Sequence, residues 1–277
     1  MTLDKLLQAQ GFGTRKASQR MIIDGRVSVS GVVVTDFQHH FKPELLSISV
    51  DGQSWVCRQQ IYLVLNKPTN FECSRKPSHH RGVLTLLPPL FLARNTQPVG
   101  RLDHDTTGML LLSDDGGFIH RHSSPKHHVT KTYEATTQDA VTPELIAKLL
   151  AGVQLRDEPA PLTALSCRQL GSHRIEIVLD QGKYHQVKRM LAAEGRNVVE
   201  LTGGFSFRGL AVPEITGVPI TFGQNSTSIQ YDQARRANRL SASLVLAGGT
   251  EWGGKTLALL ESLTFKQDII LTGFVQD

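Results

Sequence analysis

Cysteines are few in this sequence. The 277 residues contain three, Cys57, Cys73 and Cys167, and no two of them form a Cys-x-x-Cys pair. Such isolated cysteines argue against a structural zinc site and a disulfide framework, and they are typical of a reducing compartment. No apolar run approaches the roughly 18 residues that suggest a membrane span, so we expect no membrane partner. Asp4 and Lys5 stand where a signal peptide would have its apolar core, and we expect a cytoplasmic protein.

Acidic residues are slightly outnumbered. The formal net charge is +5, and 40% of the residues are hydrophobic. This composition supports substantial cores, and the length suggests one large or two modest domains. The modest positive charge favours an anionic partner.

One stretch, residues 99–114, joins a charged, glycine-bounded loop to the apolar run Met109–Leu112. A run this short, bounded by turn-forming residues, predicts a buried strand. Asp103 would then sit on a loop held by the core, with Arg101 two residues away. An acid in this position is a candidate nucleophile or general acid/base, although an aspartate that caps its own turn gives the same pattern.

The same stretch contains Asp103-x-Asp105, a pattern that can bind Mg²⁺ or Mn²⁺. No clear third carboxylate lies nearby in the sequence, and Arg101 and His104 stand between and beside the two acids. We therefore expect no metal site here.

The first 57 residues predict a small module of two helices and a hairpin. Apolar spacing indicates a helix over 3–10 and a second over 15–24, with Thr14 as its cap. On the second helix we expect Ala17 and Met21 to face the core. Alternation over 26–34 predicts two short strands. The module is almost balanced in charge, but its second helix and first strand carry a basic cluster: Arg15, Lys16, Arg20 and Arg26. This cluster predicts an RNA-binding surface or, alternatively, a solvated helix face.

Two later segments are basic. Residues 69–98 look irregular and carry several cations, among them Arg75 and Arg94, so they form a candidate phosphate-contacting loop or a disordered surface loop. Residues 118–131 have three Lys/Arg and no acid, which indicates a second phosphate-facing surface.

Residues 130–136 alternate as a strand with Lys131 and Tyr133 on one face. Tyr133 could stack on a base or simply be a core aromatic.

The remaining pattern is helix, strand, glycine turn and helix. Residues 142–151 predict an amphipathic helix capped by Thr142, residues 174–179 a strand, and residues 184–194 a helix. On this last helix the buried stripe is Val187, Met190 and Leu191, and the opposite side carries His185, Lys188 and Arg189. This arrangement would direct positively charged side chains into a binding or catalytic site.

The sequence resembles two known families. Leu3-Asp-Lys-Leu-Leu7, Gly13-Thr-Arg-Lys-Ala-Ser18 and Asp24-Gly-Arg-Val-Ser-Val-Ser-Gly31 resemble the S4-type RNA-binding module. Four further motifs, in order, resemble the RsuA-type pseudouridine synthases: Asn66-Lys-Pro68, Gly100-Arg-Leu-Asp-His-Asp-Thr-Thr-Gly108, Lys131-Thr-Tyr133 and Gly182-Lys-Tyr-His-Gln-Val-Lys-Arg-Met190. Ser124-Pro-Lys-His-His128 and Gln186-Val-Lys-Arg-Met-Leu-Ala-Ala193 look most like the small-subunit rRNA enzyme of that family.

The resemblance implies an α+β fold. A catalytic domain over 58–222 would have a central mixed, mostly antiparallel sheet with flanking helices, behind a small S4-like α/β RNA-binding domain over 1–57. It also implies conversion of a uridine in rRNA to pseudouridine without cofactor or metal, in a monomer. The expected target is small-subunit rRNA, at uridine 516 of the 16S molecule, with a large-subunit rRNA site as the alternative.

The resemblance implies residue roles as well. Asp103 would attack the substrate at uracil C6 or ribose C1′, or assist elimination to a glycal. Lys188 would pair with it, although Arg189 could take that role. Tyr133 would pack on the target base, and Arg101 would hold the flipped-out nucleotide. The expected RNA contacts are Arg15, Lys16, Arg20, Arg26, Lys67, Lys126, Lys131 and Arg189.

The resemblance ends near residue 202. Where the family usually has a basic pair, this chain has Thr202-Gly203-Gly204. Residues 205–222 predict a hairpin-like end of the sheet, and residues 223–277 form an extension with a basic patch (Arg235, Arg236 and Arg239) and apolar runs (257–260 and 269–271). The extension could contact RNA or pack on the catalytic core.

Two other functions fit parts of the pattern. One is a non-catalytic RNA-binding or ribosome-assembly protein, which the presence of Asp103, Tyr133 and Lys188 disfavours. The other is a metal-dependent RNA hydrolase, based on Asp103-x-Asp105 and the histidines, which sensitivity to EDTA would reveal.

Overall fold

The computed structural model describes residues 1–43, 46–205, 243–247 and 269–272. Within these ranges the chain forms six α-helices, two short 3₁₀ helices (Val83–Leu86 and Pro125–His127) and fifteen strands. The helices are α1 (Leu3–Ala9), α2 (Arg15–Ile23), α3 (Pro89–Ala93), α4 (Gly116–Ser123), α5 (Pro143–Ala151) and α6 (Gln186–Ala193). The strands are β1 (Val27–Val29), β2 (Val32–Val33), β3 (Ser47–Val50), β4 (Gln53–Val56), β5 (Tyr62–Lys67), β6 (Phe71–Glu72), β7 (Arg81–Gly82), β8 (Gln97–Val99), β9 (Thr107–Ser113), β10 (Lys131–Thr137), β11 (Ser166–Gly171), β12 (Arg174–Leu179), β13 (Val198–Phe205), β14 (Ser243–Ala247) and β15 (Ile269–Thr272).

The N-terminal module has its own core, in which α1 and α2 pack with a four-stranded sheet in the order β2-β1-β3-β4. Thr14 caps α2 as predicted, because its hydroxyl accepts from the backbone N–H of Ala17 at 3.2 Å. The expected core-facing side of α2 is confirmed for Met21, which is partly buried against the module's core, and wrong for Ala17, which is exposed. The fully buried residues are Ser18 and Ile22, because burying the large Ile22 side chain turns the helix away from Ala17.

The second domain, which the resemblance implies to be the catalytic domain, is built on a nine-stranded sheet in the order β11-β12-β10-β13-β9-β5-β14-β15, with β8 also paired to β9. Five of its pairings are antiparallel (β11 with β12, β12 with β10, β10 with β13, β9 with β5 and β8 with β9). Three are parallel (β13 with β9, β5 with β14 and β14 with β15). The predicted mixed, mostly antiparallel sheet is confirmed. The apolar run Met109–Leu112 is buried in β9 as expected.

Strand β9 has two neighbours along one side. Its first residues, Thr107–Met109, pair with β13, and its last, Leu111–Ser113, pair with β8. Because β8 and β9 are antiparallel and joined by residues 100–106, that loop leaves the sheet beside β13. The loop that carries Asp103 is therefore anchored at both ends by buried strands.

Two expectations for the middle of the chain are wrong. Residues 83–99 are not irregular but contain a 3₁₀ helix, α3 and β8. Arg94 is buried and paired with Asp114 at 2.8 Å, so it cannot contact phosphate.

Arg94 also joins the module to the catalytic domain. Its guanidinium donates to Gln10 Oε1 at 2.9 Å and to the carbonyls of Arg58 and Gln59 at 3.0 and 3.1 Å. At the same joint the backbone of Gly11 approaches α3 so closely that a Cβ there would lie 2.1 Å from the carbonyl oxygen of Leu90. The two domains meet through buried polar contacts.

Two short segments of the C-terminal extension join the sheet, since β14 pairs in parallel with β5 and β15 with β14. The other features predicted after residue 205, the hairpin over 206–222, the basic patch and the apolar run over 257–260, lie outside the described residues. In the ranges that the structure describes, no helix is long and apolar enough to cross a membrane.

Candidate active site

The loop of residues 100–106 is fastened to the protein by hydrogen bonds to its backbone. Leu102 is buried, and its N–H donates to Cys73 Sγ at 3.4 Å. The carbonyl of His104 accepts from the N–H of Asn70 at 2.7 Å, and the N–H of Thr106 donates to the carbonyl of Asp103 at 3.1 Å. These bonds fix the backbone on both sides of the Asp103 side chain.

Lys67 also binds the backbone of this loop through its side-chain ammonium. Its ammonium donates to the carbonyls of Pro68, His104 and Thr106 at 2.9, 3.1 and 2.9 Å, and the side chain is fully buried. Burial lowers the pKa of Lys67 to about 8, against the nearby charges of Asp105 and Asp103, which favour the ammonium. The prediction that Lys67 contacts RNA is wrong, because a side chain with no exposed surface cannot reach a phosphate.

The Asp103 carboxylate lies between two nitrogen groups that arrive from the start of α6. Its Oδ2 is 3.4 Å from Lys188 Nζ, and its Oδ1 is 3.3 Å from His185 Nε2. The Asp103 side chain keeps 27% of its surface exposed, so it is positioned and still accessible. Its carboxylate contacts are therefore with α6 rather than the local cap of its own turn that the sequence left open.

Lys188 is shared with a second acid. Its Nζ lies 2.5 Å from Asp105 Oδ1, closer than to Asp103. Burial opposes ionisation of Asp105, but the hydrogen bond and charge of Lys188 outweigh it and hold the pKa of that carboxyl below its usual range. The ammonium thus occupies the position between the two carboxylates that a cation would need. Within the described residues, no group of three or more His, Cys, Asp and Glu could hold a metal ion.

Arg189 points elsewhere. Its guanidinium contacts Glu158 and Asp157, each at 3.3 Å, and donates to the carbonyl of Tyr184 at 3.0 Å. Lys188, not Arg189, therefore pairs with Asp103. The same contacts disfavour Arg189 as a phosphate ligand, because two carboxylates already compensate its charge.

Tyr133 projects from β10 towards Asp103. Burial, together with the charge of Asp103, raises the pKa of its phenol well above the usual range, so at neutral pH Tyr133 is a neutral hydroxyl. Its ring lies against Gly203, where a Cβ would come within 2.2 Å of the ring. The unusual Thr202-Gly203-Gly204 stretch therefore has a local reason, which is to leave room for this ring.

A cavity of about 590 Å³ opens over this group. Its lining includes Arg101, Asp103, Lys131, Tyr133, Tyr184 and His185. This volume lies within the usual range for small-molecule sites and suits a single nucleotide. Arg101 is exposed, and within the described chain its guanidinium has no ion-pair partner. Three predicted residues, Arg101, Asp103 and Tyr133, thus meet in one cavity, with Lys188 behind them.

The other predicted RNA contacts lie apart from the cavity or at its edge. Lys126 is exposed in the second 3₁₀ helix, and Lys131, half-buried, lines the cavity wall. In the N-terminal module three of the four predicted RNA contacts pair with acids: Arg15 with Asp4 at 2.7 Å, Arg20 with Asp24 at 3.1 Å and Arg26 with Asp51 at 2.5 Å. Lys16 is exposed and has no ion-pair partner in the described ranges.

Sequence reasoning missed the contact of His185 with Asp103. The helix predicted over 184–194 begins only at Gln186, and His185 precedes it with a left-handed backbone, so helical spacing does not account for this contact. Sequence reasoning also missed Tyr184, whose exposed ring at the cavity gives no periodic signal.

Comparisons with known proteins show what the chain is similar to. Residues 61–193 match the RNA pseudouridylate synthase family and residues 1–44 match the S4 domain. An uncharacterized RNA pseudouridine synthase of Bacillus subtilis is 37% identical over 73% of this chain and 85% of its own length. Ribosomal small subunit pseudouridine synthase A of Escherichia coli is 37% identical over 73% of this chain and 87% of its own. A crystal structure of a pseudouridylate synthase aligns with a TM-score of 0.50 at 33% identity, covering 73% of this chain and 87% of the other.

Proposed function

Because the chain belongs to the RNA pseudouridine synthase family, with an S4 domain before its catalytic domain, we propose that it isomerises one uridine of small-subunit rRNA with Asp103 as nucleophile. Uridine 516 of the 16S molecule is the proposed target. The name of the Escherichia coli relative, a small-subunit enzyme, supports this substrate over large-subunit rRNA.

The position of Asp103 carries the proposal. It is a partly exposed acid that lines the cavity, on a loop held by buried groups, with Lys188 and His185 against its two oxygens. A carboxylate nucleophile has to be ionised, and a nearby cation favours the ionised form. The neutral Tyr133 facing it adds no competing negative charge.

The reaction balances without a co-reactant. The N1–C1′ glycosidic bond breaks, a C5–C1′ bond forms, the proton on C5 leaves to solvent and N1 gains one. Attack at C6, attack at C1′ and elimination to a glycal all use Asp103 as the ionised group beside the sugar and base. Since no electrons or groups enter from outside, we propose no cofactor and no metal.

The surrounding residues bind the flipped nucleotide. Extracting a base from its stack costs a few kcal/mol, which contacts in the pocket have to offset. Tyr133 offers a ring for the target base, and Arg101, which has no ion-pair partner among the described residues, offers a charge-assisted contact to a phosphate. Lys131 and Lys126 extend this positive surface along the cavity wall and beyond it.

The S4 module would dock the rRNA. Arg15, Arg20 and Arg26 stay partly exposed despite their carboxylate partners, and Lys16 lies on the same helix as the first two. Exposed cations of this kind supply the salt-dependent part of RNA affinity. We further propose that the protein acts as a monomer in the cytoplasm.

The test is release of tritium from C5-labelled uridine in 16S rRNA, by wild type and Asp103→Asn side by side with EDTA present. Release by wild type alone supports the proposed nucleophile and substrate together. Undiminished release by Asp103→Asn refutes the nucleophile. Release only from 23S rRNA or from assembly particles moves the target. Cleavage of the RNA without tritium release, seen only when EDTA is omitted, would point to the hydrolase class instead.

A further inference from the structure

Tyr184 is an exposed aromatic residue at the cavity. It lies between β12 and α6, lines the cavity beside Asp103 and His185, and leaves 73% of its surface exposed. Among the exposed large hydrophobic residues in the described chain it has the highest exposed fraction. The mechanism proposed above gives it no role.

The Tyr184 ring is held in place on one side. It stacks on the His185 ring with 3.9 Å between centroids and 17° between planes. His185 itself has a left-handed backbone with φ 45°, a conformation that non-glycine residues adopt at a cost and that is often found at functional sites. Since only one face of the Tyr184 ring is covered by this stack, the opposite face is the exposed one.

The backbone around Tyr184 is also fixed. Its carbonyl accepts from Arg189 Nη1 at 3.0 Å, and Glu158 anchors the residues on both sides of it, with Arg189 at 3.3 Å and Lys183 at 2.9 Å. A flexible surface loop would need none of these bonds. The protein therefore holds an apolar ring rigidly in water, at the opening through which its substrate has to enter.

Resting on the proposed function, we infer that Tyr184 is a stacking platform for a nucleobase next to the target uridine. When one nucleotide enters the cavity, its neighbours in the RNA lose a stacking partner. An aromatic ring with a free face replaces that partner without regard to base identity. The ligand class is thus an unpaired nucleobase of a single-stranded RNA segment, bound outside the catalytic cavity but on its rim.

The stack has a second consequence for the site. The ring on which Tyr184 lies is the one whose Nε2 contacts Asp103 Oδ1. A base stacked on Tyr184 would therefore be connected to Asp103, the proposed nucleophile, through the His185 ring. We expect binding of the neighbouring base to affect the position of the Asp103 carboxylate through these contacts.

A direct test uses Tyr184→Trp as a fluorescent reporter in the Asp103→Asn background, where no turnover occurs. The probes are octamers of uridine, octamers of adenosine and an abasic ribose-phosphate octamer of equal charge. The same titrations with Tyr184→Phe provide the background from the other tryptophans. Base-bearing octamers should quench the added fluorescence and the abasic octamer should not. Equal quenching by all three, or none by any, overturns the platform.

Affinity for 16S rRNA is measured in the same background with Tyr184→Ala and Tyr184→Phe. Loss of one stacked base should weaken binding about tenfold in the alanine variant, and the phenylalanine variant should stay within about twofold. Val199→Ala, at another exposed apolar residue outside the cavity, is the matched control. A folded Tyr184→Ala protein that binds as tightly as its parent overturns the inference.

The two proposals fail separately. If wild type releases no tritium from 16S rRNA but base-specific quenching at position 184 is seen, the platform stands and the proposed substrate falls. If tritium is released and the quenching is absent, the proposed substrate stands and the platform falls.

Discussion

At the scale of single residues, the site depends on how one ammonium is divided between two carboxylates. Lys188 contacts Asp105 more closely than Asp103. Asp103 therefore gains a favourable field without being tied up in a tight ion pair, and Asp105 holds Lys188 in position. This weaker contact suits the nucleophile that we propose Asp103 to be, which has to leave its partner to attack.

Replacing Lys188 should expose the repulsion between the two acids. In Lys188→Gln we expect kcat for tritium release to fall by about 100-fold or more, the range seen when a charge-stabilising group is removed. The acid limb of the pH–rate profile should move to higher pH, because two carboxylates without a cation cannot both ionise easily.

Arg189→Gln is the matched control for this variant, since it removes a cation one residue along the same helix. Its guanidinium pairs with Asp157 and Glu158, so the acid limb of the pH–rate profile should keep its wild-type position. If the two variants shift the profile equally, the assignment of Lys188 to the two acids is wrong.

Lys67 provides a second residue-scale prediction. Burial lowers its pKa to about 8 from 10.5, so the folded state binds this proton less tightly than the unfolded state. The cost of burying the charged form is complete below pH 8 and disappears as the pH rises towards 10.5. The free energy of unfolding of wild type should therefore rise across this window relative to that of Lys67→Met.

The measurement is urea unfolding of both proteins from pH 7 to 10, with the difference between the two curves as the readout. The methionine also removes the Lys67 donor from the carbonyls of Pro68, His104 and Thr106. His104 keeps its bond from the Asn70 N–H, and loss of the donor at the other two carbonyls should cost roughly 1–3 kcal/mol of stability for each unsatisfied group. Tritium release should be lost because the Asp103 loop loses its anchor. A constant difference over the whole pH range would contradict the titration of Lys67.

At the scale of elements, the site depends on how closely β9 and β13 approach. The two strands run parallel for three residue pairs, Thr202 with Thr107, Gly203 with Gly108 and Gly204 with Met109. A Cβ on Gly108 would lie 2.2 Å from the Gly203 carbonyl oxygen, and one on Gly204 would lie 2.0 Å from that of Met109. Glycine at these positions lets β13, which also pairs with β10 and lies against the Tyr133 ring, closely approach β9, the strand that leads out of the Asp103 loop.

Gly203→Ala should displace the Tyr133 ring, because its Cβ would overlap the ring and the ring is packed on the opposite side by the core. We expect a loss of stability of about 1–3 kcal/mol, as for other overpacked sites, and a fall in kcat with unchanged affinity for rRNA. Thermal denaturation and single-turnover tritium release measure the two effects.

Gly116→Ala is the control, because a Cβ there meets no atom within 4 Å. This variant should melt and react as wild type does. Full activity in Gly203→Ala would show that the ring of Tyr133 does not need its present position.

At the scale of the whole molecule, the S4 module and the catalytic domain are coupled through Arg94. Its guanidinium bonds to Asp114 of the catalytic sheet, to Gln10 of the module and to two carbonyls of the connecting segment. A ring contact between Trp55 and Phe91, with centroids 5.7 Å apart, packs beside it. An rRNA held by the module would therefore have a fixed relation to the cavity.

Arg94→Met should weaken this joint. Breaking a buried ion pair by removing one partner typically costs about 3–5 kcal/mol, and here the cost falls on the contact between domains. We expect one calorimetric unfolding transition in wild type and two separated transitions in the variant, together with faster proteolysis between residues 57 and 61.

Arg168→Met serves as the control, because its pair with Glu176 is exposed and exposed pairs contribute about 0–1 kcal/mol. A single unchanged transition in Arg94→Met would mean that the joint is held by the apolar contacts alone.

Local patterns in the sequence predicted much of this protein correctly. The caps at Thr14 and Thr142 and the buried run of β9 follow from spacing and residue type, and the structure has all of them. The family motifs likewise placed Asp103 and Tyr133 at one site. These features depend on residues close to one another in the chain, so the sequence by itself determined them.

The tertiary structure determined which cationic side chains reach the cavity and which are compensated by partners inside the protein. Successive residues on a helix are turned by about 100°, so only the packing of α6 determines that Lys188 meets Asp103 while Arg189 meets Glu158. Lys67 and Arg94 resemble surface cations in the sequence. In the structure both are buried, and their charges are compensated by carbonyls and an acid that are distant in the chain. The reason is physical: the environment of a charge is set by groups distant in sequence, and no local pattern contains them.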